Sequence, residues 1–190
     1  MKARHWILAL VLVAGGAFAV GRARAGDEAK EGMGMDEAWA KYSAPGPQHA
    51  HLKRLAGTWN AAVDFGGQKG EGVSVNEMVL GDRFLKQTYT DKSGAFEGIG
   101  FTGFDNGSNK IVVTWMDSMG TGIQITTGEI DAAGKVVTTK GEMVGPGGKP
   151  LKIRTKSTIA SDDETTYEQW MAEGDGPEQK LLHIVYTRQK

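Results

Sequence analysis

Cysteine is absent from all 190 residues. Its absence excludes a disulfide framework, a thiolate metal site, a cysteine nucleophile and a lipid-bearing N-terminal cysteine. Hydrophobic residues are also scarce, at 39%, so any core must come from sparse, well-placed positions. Long apolar runs are missing beyond the first 25 residues. Trp6 to Val20 is the one such run, and it is short and glycine-bearing for a membrane span. Lys2, Arg4 and His5 precede it, and Ala23-Arg24-Ala25 follows it in the small-residue pattern of a signal-peptidase site. Residues 1–25 are therefore expected to be a secretory leader, with cleavage after Ala25 or, as the competing site, after Ala19. The mature chain would be periplasmic or secreted, and not an integral membrane protein.

An excess of basic residues is lacking as well. Loss of the leader removes four cations and no acids, moving the net charge from −1 to −5. A mildly acidic chain without a basic patch argues against nucleic acid as a partner.

What is abundant is glycine, 28 residues at about twice the usual frequency. The glycines are spread along the chain as turn punctuation and do not cluster as a linker. Residues 26–45 read as a flexible segment, with a short helix capped by Asp36 through Tyr42 and ended by Pro45. Pro47 suits the first turn of a second short helix carrying Leu52 and Leu55 on one face, which Gly57 would stop. Residues 46–190 form the expected domain. From Gly57 the hydrophobic period becomes two, giving ten candidate strands near 57–65, 69–79, 83–91, 95–105, 109–117, 121–130, 134–143, 150–160, 164–172 and 179–188. Short turns join them, so sequence neighbours should pair antiparallel. Asn106-Gly107 reads as a hairpin signal, because both residues tolerate positive φ.

Residues 151–159 alternate most clearly. Leu151, Ile153, Thr155, Ser157 and Ile159 share one face, and Lys152, Arg154, Lys156 and Thr158 the other. The inner face is part polar, which suits a barrel with a partly wet interior better than a fully packed sandwich. Closure would also remove the exposed edges of a ten-stranded sheet. The expected fold is all-β: an antiparallel up-and-down barrel of about ten strands with a short N-terminal helical plug. Ile111–Ile123 is its central hairpin, with Trp115 on the wall and Asp117–Gly122 at one rim.

Gly57-Thr58-Trp59 at the start of the first strand and Tyr186-Thr187-Arg188 at the end of the last resemble the lipocalin-like (calycin) pattern. In that pattern an arginine covers the tryptophan and closes the barrel base. The resemblance thus implies a structural pair, Trp59 and Arg188. A longer ordered set adds Pro47-Gln48-His49, Leu80 to Leu85, Phe96 to Gly100, Phe104-Asp105-Asn106 and Thr114 to Gly122. Together these are similar to the bacterial family called domain of unknown function 1579, over about residues 45–190. That resemblance implies a lipocalin-like barrel and lends no catalytic residues. Where such proteins typically carry an acid on the last strand, this chain has His183.

Several constellations compete for function. His49 and His51 alternate within a helical segment, so they point apart, and no metal site is expected. His183 near the C-terminus resembles the haem-binding histidine of nitrobindins, which are ten-stranded barrels. Strand parity opposes haem there: His183 and Arg188 are five residues apart and face opposite sides, unless a bulge intervenes. No cofactor is expected, with haem as the alternative. Asp117, Ser118 and Thr121 could form a rim active site, but no base or Gly-x-Ser-x-Gly elbow accompanies Ser118, and turn chemistry explains them. The methionines with Trp115, Trp170, Tyr89, Tyr167, Phe84, Phe96, Phe101 and Phe104 are read as mostly core. The leading expectation is an exported protein that binds a small apolar or amphipathic molecule inside the barrel, through Trp115, Asp117, Tyr89, Thr155, Ser157 and Tyr167. The alternatives are an enzyme acting near Asp117–Thr121 and a ligand-free structural module.

Overall fold

The computed structural model describes residues 28–190, with side chains from Gly34 onward. The expected leader lies outside the described residues. The chain divides into two compact units, Met1–Ala38 and Trp39–Lys190. A helix, α1, runs over Glu28–Ser43, starting well before the Asp36 cap that the sequence suggested. Its upstream stretch is rich in Glu, Ala and Lys, whose helix propensity outweighs the two glycines there. Among the described residues no helix is long and apolar enough to cross a membrane.

The second unit is a closed barrel. A short helix, α2 (Pro47–Lys53), leads into ten strands: β1 (Gly57–Phe65), β2 (Gln68–Val79), β3 (Phe84–Asp91), β4 (Glu97–Asp105), β5 (Lys110–Asp117), β6 (Gln124–Ile130), β7 (Val136–Val144), β8 (Pro150–Ile159), β9 (Glu164–Glu173) and β10 (Gln179–Arg188). Each strand pairs antiparallel with its sequence neighbours, and β10 returns to β1, so no edge remains. The expected up-and-down topology is the observed one. The strand boundaries agree with the sequence expectation to within three residues, because glycine-rich turns mark them.

α2 stops one end of the barrel. Pro47 sits in its first turn, and the Gly46 amide donates to Nδ1 of His49 at 2.9 Å. Leu52 is fully buried and packs with Leu85 and Ile111, joined by Leu55, Met78, Phe104 and Val137. Burial of Leu52 alone contributes roughly 2 kcal/mol. Where α2 meets β1, the Arg188 guanidinium lies 4.1 Å from the centre of the Trp59 ring. Arg188 also donates to the carbonyls of Ala56 at 2.6 Å, Arg54 at 2.7 Å and Asp162 at 2.7 Å, while the Trp59 indole donates to Leu55 O at 3.0 Å. The closure implied by the resemblance is present. Gly57 is required there: its φ is +127°, and a Cβ would stand 2.5 Å from Arg188 Nη1.

Two expectations are adjusted. Asn106-Gly107 lies in the β4–β5 hairpin as expected, but the positive φ of the turn falls at Asn109. Asp105 instead accepts from the Gly107 and Ser108 amides, and Asn106 is drawn away to donate to Tyr42 O and Ala44 O. Tertiary capping outweighs local turn preference. The second correction concerns the aromatic core. Phe84, Phe101 and Met119 are exposed, and Trp170 lies on the outer wall beneath the Arg154 guanidinium at 3.7 Å. Strand parity assigns them: Phe84 and Phe101 alternate with the inward Leu85, Gly100 and Thr102.

Candidate functional site

The inner wall is built by alternation. On β8, Ile153 and Thr155 are buried, while Lys152 faces solvent. On β5, Ile111, Val113 and Trp115 face inward, and on β3, Leu85, Gln87 and Tyr89 do so. Near α2 this wall is packed solid by the Leu52 cluster. Toward the opposite end the lining changes. Ala61, Tyr89 and Ile184 form a second cluster with Val63, Phe96, Trp115, Tyr167, Leu182 and Tyr186.

That upper lining is both enclosed and reachable. Tyr167 and Tyr186 are so surrounded by protein that desolvation lifts both phenols, Tyr186 to about 12. Yet Trp115, Tyr167, Leu182, Tyr186 and Val63 are only half-buried. Glycines shape this wall. The Trp115 indole lies flat on β4: a Cβ at Gly98 would stand 2.2 Å from Cζ2, and one at Gly100 2.9 Å from Cε3. A Cβ at Gly72 of β2 would likewise meet the Tyr89 hydroxyl at 2.3 Å. Both rings therefore lie close along the wall.

Six residues were expected to contact a ligand, and all occupy inward positions. Trp115, Tyr89 and Tyr167 fall in the upper cluster. Ser157 pairs with Tyr167 across β8–β9 and is half-buried. Thr155 is used otherwise: Thr126, Thr139 and Thr155 form a buried hydroxyl ladder at 2.7 Å and 2.7 Å across β6, β7 and β8. Asp117 sits at the rim, where one oxygen accepts from Trp115 Nε1 at 2.9 Å and the other from the Met119 amide at 3.0 Å. The Ser118 hydroxyl accepts from the Glu97 amide at 3.2 Å. These are turn and ring-orienting contacts.

Gln87 and Gln169 were not singled out from the sequence, and Tyr186 was read there only as part of the closing motif. Gln87 Nε2 donates to Ser74 Oγ at 2.8 Å and to Tyr186 Oη at 3.4 Å, and the Tyr167 hydroxyl donates to Gln169 Oε1 at 2.7 Å. Inward parity from Arg188 places Tyr186, but the two amides sit in strands without a clear alternation.

His183 faces outward, opposite Asp64 on β1 and Glu168 on β9. The one register shift in β9–β10 falls between Lys180 and Leu182, upstream of His183, so the parity from His183 to Arg188 is regular. His49 is buried edge-on against Phe104, and His51 covers Gly134. Among the described residues no cluster of three metal-ligating side chains occurs.

A concavity of about 450 Å³ lies at the α2 end, lined by Tyr42, His49, Phe84, Phe101, Phe104 and Val112 among others. It is a broad groove along the outer wall. A small molecule there would keep much of its surface in water, whereas an interior site encloses it. The lumen is the stronger candidate.

Comparison with known proteins follows this geometry. The family described as "Protein of unknown function (DUF1579)" matches residues 44–188. No curated protein matches. Among solved structures, Rv2717c from M. tuberculosis is similar at 18% identity and a TM-score of 0.54, over 77% of this chain and 100% of that one. That likeness supports the barrel fold. A redesigned beta barrel, mFAP1, bound to DFHBI, aligns at 16% identity and a TM-score of 0.38, over 73% of this chain and 98% of its own.

Proposed function

The chain belongs to the DUF1579 family of proteins of unknown function, and from its geometry we propose that it is an exported binding protein that holds a small apolar or amphipathic molecule in the upper half of its barrel. One observation carries the reading: Trp115, Tyr167 and Tyr186 are enclosed by the barrel and still half-open to solvent. A barrel of ten strands has the girth for such a space. Glycines under the Trp115 and Tyr89 rings let both lie close along the wall. Export rests on the leader read in residues 1–25. Binding is the function class favoured over catalysis, since Asp117 and Ser118 are engaged in turn and ring-orienting contacts.

The test uses an uncharged fluorescent naphthalene, N-phenylnaphthylamine, titrated into the mature chain. The parent should enhance its emission saturably. Ser157→Phe and Leu182→Phe each place a ring in the lumen, and each should weaken binding at least roughly tenfold while the far-ultraviolet dichroism stays that of a barrel. Two different positions keep the test informative if one variant misfolds. Equal binding by parent and both folded variants would refute a luminal site.

A further inference from the structure

The charge of the lumen limits what it can hold. Lysine is absent from the inward positions within the ten described strands. Arg188 is the one inward arginine, and its guanidinium is committed to three carbonyls and the Trp59 ring at the closed end. The lysines of the barrel pair on the outside or at the rim, as in Lys86 with Glu77, Lys110 with Glu129 and Lys152 with Asp175. The one acid on β5's inner row, Asp117, stands at the mouth. An anion entering this space would shed water and meet no counter-charge, a loss of several kcal/mol.

Two phenol hydrogens on this lining are left without an acceptor. Among the described contacts, the Tyr186 oxygen accepts from Gln87, but its own hydrogen has no acceptor. Tyr89, whose ring lies edge-on to Phe96 at 5.8 Å, has a hydroxyl with no hydrogen-bond partner. The Tyr89 phenol is near enough to help hold Tyr186 in its protonated form. Flat indole and phenol faces line the same space, and these favour stacking with a ring.

We infer that the lumen selects an uncharged, ring-bearing molecule that presents a hydrogen-bond acceptor such as a carbonyl to Tyr186 and Tyr89, and that it rejects anions of the fatty-acid kind. This rests on the lumen being the ligand site. Anionic amphiphiles are excluded for want of a cation, and the phenol hydrogens favour a molecule that carries an acceptor.

Two matched comparisons test it on the mature chain. N-phenylnaphthylamine and anilinonaphthalene sulfonate share a ring skeleton and differ by the sulfonate. The uncharged probe should bind at least roughly tenfold more tightly, by a difference that persists at high salt. Prodan, an uncharged naphthyl ketone, emits further to the red when its carbonyl accepts a hydrogen bond. Tyr186→Phe should shift bound Prodan to the blue and weaken it several-fold more than it weakens N-phenylnaphthylamine. Should Tyr186→Phe fail to fold, Tyr89→Phe makes the same comparison. Sulfonate binding as tight as the uncharged probe, and lost in Ser157→Phe, would overturn the selectivity and leave the luminal site standing. Unshifted Prodan in both folded phenylalanine variants would overturn the phenol contact. Failure of all three probes to bind would overturn the luminal site itself.

Discussion

Gly98→Ala probes the contact that lets the Trp115 ring lie flat against the wall. The added methyl would lie 2.2 Å from Cζ2, 2.7 Å from Cη2 and 2.9 Å from Cε2 of Trp115. The indole has little room to slide along the wall, because Gly100 supports its other ring edge and Nε1 is tied to Asp117 at 2.9 Å. It must lift into the lumen and release that bond. Overpacking costs about 1–3 kcal/mol, and loss of a hydrogen bond to a carboxylate adds about 1.5–3 kcal/mol where it is not replaced. Water at the half-open rim replaces part of the bond, so a total of roughly 2–4 kcal/mol is expected. For a domain of this size that lowers Tm by roughly 5–15 °C. Gly70→Ala is the control, since a Cβ there meets nothing within 4 Å and its φ is not positive. It should change stability by no more than about 0.5 kcal/mol. In a Trp115→Leu background, Gly98→Ala should lose most of its cost, an interaction visible in a double-mutant cycle. The assay is denaturant unfolding, with the Trp115 indole resonance followed by NMR. A Gly98→Ala chain as stable as Gly70→Ala, with an unmoved indole resonance, would refute the reasoning.

The remaining predictions address closure, the polar wall and pH. Arg188→Leu strips three carbonyls of their donor and uncovers Trp59; it should cost roughly 2–4 kcal/mol in denaturant unfolding. Thr139→Val breaks the buried ladder at its centre and leaves Thr126 and Thr155 short of partners, for a loss of about 1–3 kcal/mol. The phenols of Tyr167 and Tyr186 are raised chiefly by burial, Tyr186 to about 12, from an ordinary value of 10.0. Raised folded-state values favour the protonated form, so their contribution is complete below pH 10 and is lost as the pH climbs from 10 through 12. Ultraviolet titration should show these phenolates forming above the ordinary tyrosine range, and in Tyr186→Phe that late phase should shrink.

The barrel was legible because its signals are local and repeated. Glycine-bearing turns bound each strand, and Leu151 to Ile159 shows its two faces without help from the rest of the chain. The Trp59–Arg188 pair was legible only through the resemblance, since nothing local joins residues at opposite ends of the domain. What stayed hidden depended on distant partners. Asn106 reads as a turn residue until Tyr42 and Ala44 are seen to claim its amide. Phe84 and Phe101 read as core until strand parity places them outside, one of them over Gly103. Thr155 reads as a wet inner residue, and the ladder with Thr139 shows why a buried hydroxyl can be content there. The polar inner face was legible in residues 151–159. The close approach of the Trp115 and Tyr89 rings to the wall depends instead on Gly72, Gly98 and Gly100, which carry no pattern in sequence beyond their abundance.

The central claim is that the upper barrel holds a small molecule. Native mass spectrometry of the protein purified from its own source tests this most directly. The account predicts a species heavier than the mature chain by the mass of one small organic molecule, which is released on denaturation and absent from the Ser157→Phe chain. A native spectrum showing the bare chain alone, from material that also fails to bind N-phenylnaphthylamine, would contradict it.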